Sequence, residues 1–320
     1  MSFPGAIRYV GLQSMPSPSV YTSPLTPGQV QLLREALVAQ NFEFEEKPYT
    51  IFTARKDRLN VAVYEKGPKV VVQGKGLEDF ITFTLEPQVL GEARFGYDEV
   101  FEPEKFAPHF GIDESGKGDF FGPLVVAGVY TDERIAREFK AAGVQDSKNI
   151  GSDKKVRELA TIIRRSKTPQ TVILIGPERY NQLFEKFGNL NKLLAWGHAR
   201  AIENLCGLQP DCPRALSDKF ANEHVIQRAL MEKGRGLVLE QRTKAESDYA
   251  VAAASILARE KFIDWMDKTS EELGVKIPRG ASAQVKAVAR TLVDGRGPEI
   301  LSKVAKTHFK TAAEVLGRLL

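Results

Sequence analysis

The chain has 320 residues, 42% of them hydrophobic and 27% charged, with a formal net charge of +4 at pH 7. That excludes a chain too polar to bury a core, and no apolar run approaches the ~20 residues that a membrane helix needs. Residues 1–95 carry 10 Lys and Arg against 10 Asp and Glu, so the whole positive excess falls in residues 96–320, as suits a polyanionic partner.

In chain order, Pro4, Pro16, Pro18, Pro24 and Pro27 mark residues 1–24 as an extended arm. Residues 1–20 show no basic-then-apolar order, so no secretory signal is expected and the cytoplasm is the default compartment. A helix starts at Thr26, with Pro27 in its first turn and Val30, Leu33, Ala36 and Leu37 at helical spacing. Strand-like runs follow at 49–54, 59–64 and 69–73, the last two joined by a Lys66-Gly67-Pro68 turn, and a second helix at 77–85. This unit spans 25–95, and 96–108 reads as a linker. Arg55, Lys56 and Arg58, near Tyr49, Phe52 and Tyr64, fit either a nucleic-acid face or a solvated loop.

From 109 to 320 strands alternate with helices. Strands are expected at 123–130, 171–175, 214–217 and 236–240, and helices at 132–142, 152–166, 190–206, 221–232, 247–269, 281–293 and 298–318. That alternation predicts an α/β sheet flanked by helices. Cys206 and Cys212, the only cysteines, have neither the spacing nor the second pair of a zinc site and read as reduced thiols. His198, in an apolar helix, reads as a hydrogen-bonded, half-buried histidine rather than a catalytic base, and His308 as either a phosphate contact or an exposed side chain.

The chemistry concentrates in carboxylates. Asp113 and Glu114 end a short strand just before Gly116-Lys117-Gly118, Asp218 ends another strand, and Glu246 follows a third. Strand-end acids on one edge of an α/β sheet lie where such folds bind ligands. Clustered carboxylates repel one another unless hard divalent cations neutralise them, and a pair of such cations suits an in-line displacement at phosphorus. Adjacent residues on an ideal strand point to opposite faces, so Asp113 and Glu114 share a site only if the strand bends there.

Gly111-Ile112-Asp113-Glu114-Ser115-Gly116-Lys117-Gly118-Asp119, with Gly122-Pro123-Leu124-Val125-Val126 after it, resembles the opening signature of the type 2 ribonucleases H. Asp146-Ser147-Lys148 resembles their Asp-Ser-Lys motif, and Lys244-Ala245-Glu246-Ser247 leading to Ala253-Ala254-Ser255-Ile256-Leu257-Ala258-Arg259 their last acidic motif and its helix. Within that family the chain is most similar to the ribonuclease HIII branch, through its extra N-terminal unit, Glu rather than Asp at position 246, and the ending Lys306-Thr307-His308-Phe309-Lys310.

The resemblance implies a ribonuclease H-like mixed sheet in 109–320 and a small α+β unit in 25–95 resembling the TATA-box-binding-protein fold, expected to bind substrate. It implies an endonuclease that cleaves the RNA strand of RNA/DNA hybrids with two Mg2+ or Mn2+ ions held by Asp113, Glu114, Asp218 and Glu246. The ends would be 5′-phosphate and 3′-hydroxyl, and Gly116, Lys117, Gly118 and Lys148 would contact the substrate backbone. No obligate protein partner and no membrane are implied. The interval from Glu246 to Ser255 is one residue shorter than the family pattern, which makes Asp248 a rival fourth acid. The alternatives are a ribonuclease HII-type enzyme acting on single ribonucleotides embedded in duplex DNA, or a hybrid-binding protein that does not cleave.

Overall fold

A computed structural model describes residues 20–92, 102–219, 226, 228–230, 234–243 and 245–317. The chain divides into two compact units, Met1–Pro103 and Glu104–Leu320.

In the first unit, β1 (Val20–Pro24), β2 (Glu43–Glu45), β3 (Thr50–Lys56), β4 (Leu59–Tyr64) and β5 (Lys69–Gly74) form an antiparallel sheet in the order β1-β5-β4-β3-β2. Alternate residues Phe52, Ala54, Val61, Val63, Val70 and Val72 turn inward, as a half-buried strand requires. They meet Leu33 and Leu37 of α1 (Pro27–Ala39) and Leu77 and Phe80 of α2 (Leu77–Phe80). Thr26 and Gln29 cap α1 reciprocally, satisfying donors that a helix start leaves unpaired. Beyond α2 the chain continues in wider π-helical turns over Ile81–Leu90, closed by Gly91 N–H donating to the Glu86 carbonyl.

The second unit is built on β6 (His109–Ser115), β7 (Leu124–Thr131), β8 (Gln170–Ile175), β9 (Arg214–Asp218) and β10 (Val238–Arg242), in the order β10-β9-β6-β7-β8. β6, β9 and β10 run parallel, and the β6–β7 and β7–β8 pairs are antiparallel. Its helices are α3 (Glu133–Ala142), α4 (Asp153–Arg165), α5 (Pro177–Phe187), α6 (Leu190–Leu208), α7 (Tyr249–Leu273), α8 (Ala283–Arg296), α9 (Ile300–Val304) and α10 (Lys310–Val315). Phe110, Ile112, Leu124 and Val126 face α5 and α6 in one apolar cluster. Val125, Ala127 and Val129 face α3, α4, α7 and α8 in the other. The α7 start is alanine-rich because it lies against backbone: a Cβ on Gly111 would stand 2.1 Å from the Ala250 carbonyl carbon.

The mixed sheet between helix layers agrees with the predicted α/β class, and several elements differ in detail. Residues 20–24, expected in the arm, form edge strand β1 against β5, where Pro24 sits at the strand end. Phe106, expected in the linker, is buried edge-on against Tyr249 at the start of α7. The short strand β2 and helix α5 were not anticipated. The helix expected over 298–318 is two short ones, α9 and α10, because Ala305 is extended and bridges to Phe121. Most of the helix expected over 221–232 lies outside the described residues, as do Lys244 and residues 1–19 of the expected arm. No described helix is long and apolar enough to cross a membrane.

Candidate active site

Parallel pairing of β6 with β9 sets Ile112 beside Ser217, so Asp113 and Asp218 follow as the next residues on adjacent strands. Gly111 and Leu216 pair on the α7 side, and alternation returns Asp113 and Asp218 to that side. Glu246 lies in a single helical turn, Ala245–Ser247, whose Ala245 packs on Leu216 and Val251. The fold thus sets Asp113, Asp218 and Glu246 at one end of one face. Glu114 belongs to the other face: its pairing with Val126 is regular, without a bulge, and its side chain turns toward α6. The two adjacent acids therefore leave the same strand end in opposite directions.

Each carboxylate has a distinct environment. Glu114 Oε2 accepts from His198 Nε2 at 2.9 Å and Oε1 from Lys117 Nζ at 2.6 Å. Burial alone would raise its pKa, but the His198 hydrogen bond and the charges of His198 and Lys117 hold it at about 2. Asp113 is buried and, among the described residues, accepts only a backbone N–H, from Glu114 at 2.8 Å. Burial first, and the neighbouring Glu114 charge second, push its pKa well above the carboxylate range, outweighing Lys148. The Lys117 ammonium is partly desolvated, yet the charges of Glu114, Asp113 and Asp218 raise its pKa. One half-exposed lysine thus senses three of the four acids.

The residues fit a divalent cation by their chemistry. Among the described residues Glu246 Oε2 is buried without a hydrogen-bond partner, and burial opposes a charge on Asp113. Both conditions are relieved by a hard cation with oxygen ligands. Among the described residues no three His, Cys, Asp or Glu side chains already form a metal-ligating group. Asp113, Asp218 and Glu246 share an end of the sheet without closing to ligating distance, and Glu114 is engaged by His198 and Lys117 on the opposite face. Asp248, the rival acid, caps α7: its Oδ1 accepts from Ala250 N and Val251 N and lies 2.8 Å from His109 Nε2.

The substrate candidates flank this end. Gly116 adopts φ +88°, and a Cβ there would stand 2.3 Å from the Pro123 carbonyl oxygen, so only glycine fits. Lys117, Gly118 and Lys148 are exposed. The Asp146-Ser147-Lys148 turn is docked on α7, with Ser147 N–H donating to Ser255 Oγ at 3.0 Å and Arg259 donating to the Ser147 and Ile150 carbonyls. Ser255 and Arg259, one helical turn apart, tie two motifs together. His198, expected half-buried and without a role, is fully buried and holds Glu114. Its signal was Gly197, where a Cβ would stand 2.9 Å from Val126 Cγ2, so glycine lets α6 approach the sheet. A cavity of about 430 Å³ between α5 and the C-terminal segment contains none of these acids.

Sheet order, crossing helices and strand-end acids together define a protein of the ribonuclease H-like class. The sequence model of the family described as Ribonuclease HII matches residues 110–312. A ribonuclease HIII of Chlamydia pneumoniae is 44% identical over 303 residues, covering 94% of this chain and 99% of its own. Among solved structures, Bst-RNase HIII in complex with Mn2+ superposes with a TM-score of 0.65 at 27% identity, covering 93% of this chain and 98% of its own. RNase HII of Archaeoglobus fulgidus, from its complex with PCNA, superposes at 0.53 with 27% identity, covering 66% of this chain and 98% of its own. The chain belongs to the type 2 ribonucleases H, in the ribonuclease HIII branch, and is a ribonuclease H hydrolase.

Proposed function

We propose that the protein is an endonuclease that cleaves the RNA strand of RNA/DNA hybrids, using divalent ions held by Asp113, Asp218 and Glu246, with Glu114, which leaves the same strand end toward α6, as the fourth carboxylate of the site. The observation that carries this reading is the buried oxygen of Glu246 that has no partner among the described residues, on the turn packed beside the strand that ends at Asp218. Mg2+ or Mn2+, two per site once substrate is bound, would supply Lewis acidity at the scissile phosphate and leave 5′-phosphate and 3′-hydroxyl ends. The chain's own residues do the rest. Asp113 and Asp218 orient from rigid strand ends, Lys117 offers a positive charge to a phosphate, and the open backbone at Gly118 admits a ribose edge. Hybrid and pure DNA differ by the 2′-hydroxyl, so recognition through backbone contacts needs no base readout.

The 25–95 unit is proposed as a hybrid-gripping module. Its support is a shallow groove on the sheet lined by Glu45, Lys47, Arg55, Arg58, Asn60 and Gln73, more basic than acidic. Likeness of this unit to the TATA-box-binding-protein fold remains part of the proposal, as does a cytoplasmic setting without an obligate protein partner. The test is incubation of labelled RNA/DNA hybrid with and without Mg2+ or Mn2+, beside a DNA duplex carrying one ribonucleotide. Metal-dependent cutting along the hybrid's RNA strand is expected. Preference for the single embedded ribonucleotide would favour the ribonuclease HII-type reading, and binding without cutting would end the nuclease reading.

A further inference from the structure

The basic-aromatic segment at 306–310 takes no part in the chemistry above, yet it holds the least expected side chain of the fold. Lys306 is completely buried in the link between α9 and α10. Its Nζ donates to the carbonyls of Asp119 at 2.8 Å and Gly122 at 2.7 Å, and stands 5.5 Å from the centre of the Tyr180 ring. An ammonium has three N–H donors, and here two carbonyls and an aromatic face receive them. Burial draws the pKa of Lys306 down to about 7, so the fold holds this amine against a large desolvation cost. Methionine would fill the same channel without that cost. What the lysine adds is donors, and both strong ones go to the loop at 119–122.

The backbone stitches the same loop. Lys306 N–H donates to the Phe120 carbonyl at 2.8 Å, Gly122 N–H to that of Val304 at 2.9 Å, and Phe121 bridges to Ala305. Phe120 N–H donates to the Gly280 carbonyl at 2.9 Å, and Asp119 Oδ1 accepts from Gly280 N–H at 2.6 Å. This loop continues the Gly116-Lys117-Gly118 turn without a break, and Asp119 N–H closes that turn on the Gly116 carbonyl at 3.3 Å. On the other side of Lys306, His308 stacks on Phe184 at 4.0 Å and on Tyr180 at 5.5 Å, while Asn181 bonds Ala305 and Thr307. The clamp is therefore anchored on α5.

The geometry points to Lys306 as a positioning residue, an internal clamp that sets the Gly116-Lys117-Gly118 turn, and through it Lys117, against the backbone of the substrate. The inference rests on the hybrid-cleaving reading of the site. It differs from general support of the fold because it predicts coupling to Lys117.

The test is a double-mutant cycle on the full chain with labelled RNA/DNA hybrid, combining K306M with K117A. K306M alone is expected to lower kcat/KM by ~10-fold, mostly through KM, but by less than ~3-fold once Lys117 is gone. Amide hydrogen exchange is expected to quicken across 116–122 while β6 and α7 keep their protection. Losses that multiply independently, or exchange that quickens equally throughout the unit, would overturn the proposal. If K306M does not fold, Y180L takes its place, since it removes the ring and leaves both carbonyl partners. A ~3-fold rise in KM with faster exchange at 116–122 supports the clamp, and an unchanged KM and unchanged exchange there refute it. Should the wild-type chain cut no hybrid, the function reading fails, and the exchange comparison still judges the clamp.

Discussion

Glu246 and Asp248 lie two residues apart, and their surroundings separate them. Asp248 spends its Oδ1 on the first amides of α7 and on buried His109, whereas Glu246 Oε2 has no hydrogen-bond partner among the described residues. E246Q is expected to lower hybrid cleavage by ~100-fold or more with stability nearly unchanged, since no folding contact of that oxygen is lost. D248N is expected to cost about 1–3 kcal/mol in urea unfolding, through a weakened buried pair with His109, and to spare more of the activity. The reverse pattern would make Asp248 the fourth acid. At Glu114, H198A removes one of two donors, and loss of such a supporting contact typically weakens metal binding by about 10–100-fold. Mn2+ binding measured by calorimetry should weaken accordingly, with H198Q recovering part of it; equal affinity would leave His198 a packing residue. The same contact fixes a pH dependence. Glu114 has a folded pKa of about 2 against an ordinary 4.5. The unfolded chain therefore binds its proton first on acidification, so the stabilisation is complete above about 4.5 and is lost as pH falls toward about 2. H198A should flatten that part of the acid unfolding curve. At this scale the placement of Asp113 and Glu114 at a strand end was legible, because a Gly-Lys-Gly turn follows them almost at once. His198 was not, because a histidine among Leu193, Leu194 and Ala195 has the sequence signature of a core position.

Elements position these residues through a few close approaches, and glycine marks them. A Cβ on Gly111 would meet Ala250 C at 2.1 Å and Val251 N at 2.2 Å, both backbone atoms, so β6 and α7 would have to separate. G111A is expected to destabilise by more than ~3 kcal/mol, at the upper end of overpacking costs. G128A is the control. Its added methyl would meet the flexible ends of Ile112 and Leu205 at 2.8 Å, so a loss of about 1–2 kcal/mol is expected. Equal losses in urea unfolding would mean that the β6–α7 contact is not the tight joint described. Strand β4 was legible to the residue, since Leu59–Tyr64 lies between a polar turn and Lys66-Gly67-Pro68. The break between α9 and α10 was not. Apolar periodicity runs through 298–318, and nothing local shows that Lys306 finds its acceptors on a loop more than 180 residues away in sequence. Strand β1 was hidden in the same way, because its identity comes from pairing with β5 rather than from its own Pro- and Ser-rich composition.

The whole molecule is built on two cores. The first unit closes its apolar residues within one sheet and its helices, and the second does so on both faces of its own sheet. The two-unit plan was legible from the change of pattern after Gly91, and the reach of the second unit back to Phe106 was not, because one buried aromatic carries it. Since the carboxylates all lie in the second unit, chemistry and grip should separate experimentally. Deleting residues 1–95 keeps Phe106 and every proposed ligand, so kcat on a hybrid should stay within ~3-fold of the full chain. Losing one of two linked binding surfaces removes its effective concentration, and hybrid Kd should rise by ~10–100-fold. Lys47, Arg55 and Arg58 lie in the removed groove, and each lost phosphate contact makes the dependence of log Kd on log salt shallower. Fluorescence anisotropy of a labelled hybrid across a salt series reads both quantities. An unchanged Kd and slope would show that the first unit does not hold the hybrid, and the second unit's basic excess would then have to account for the whole affinity.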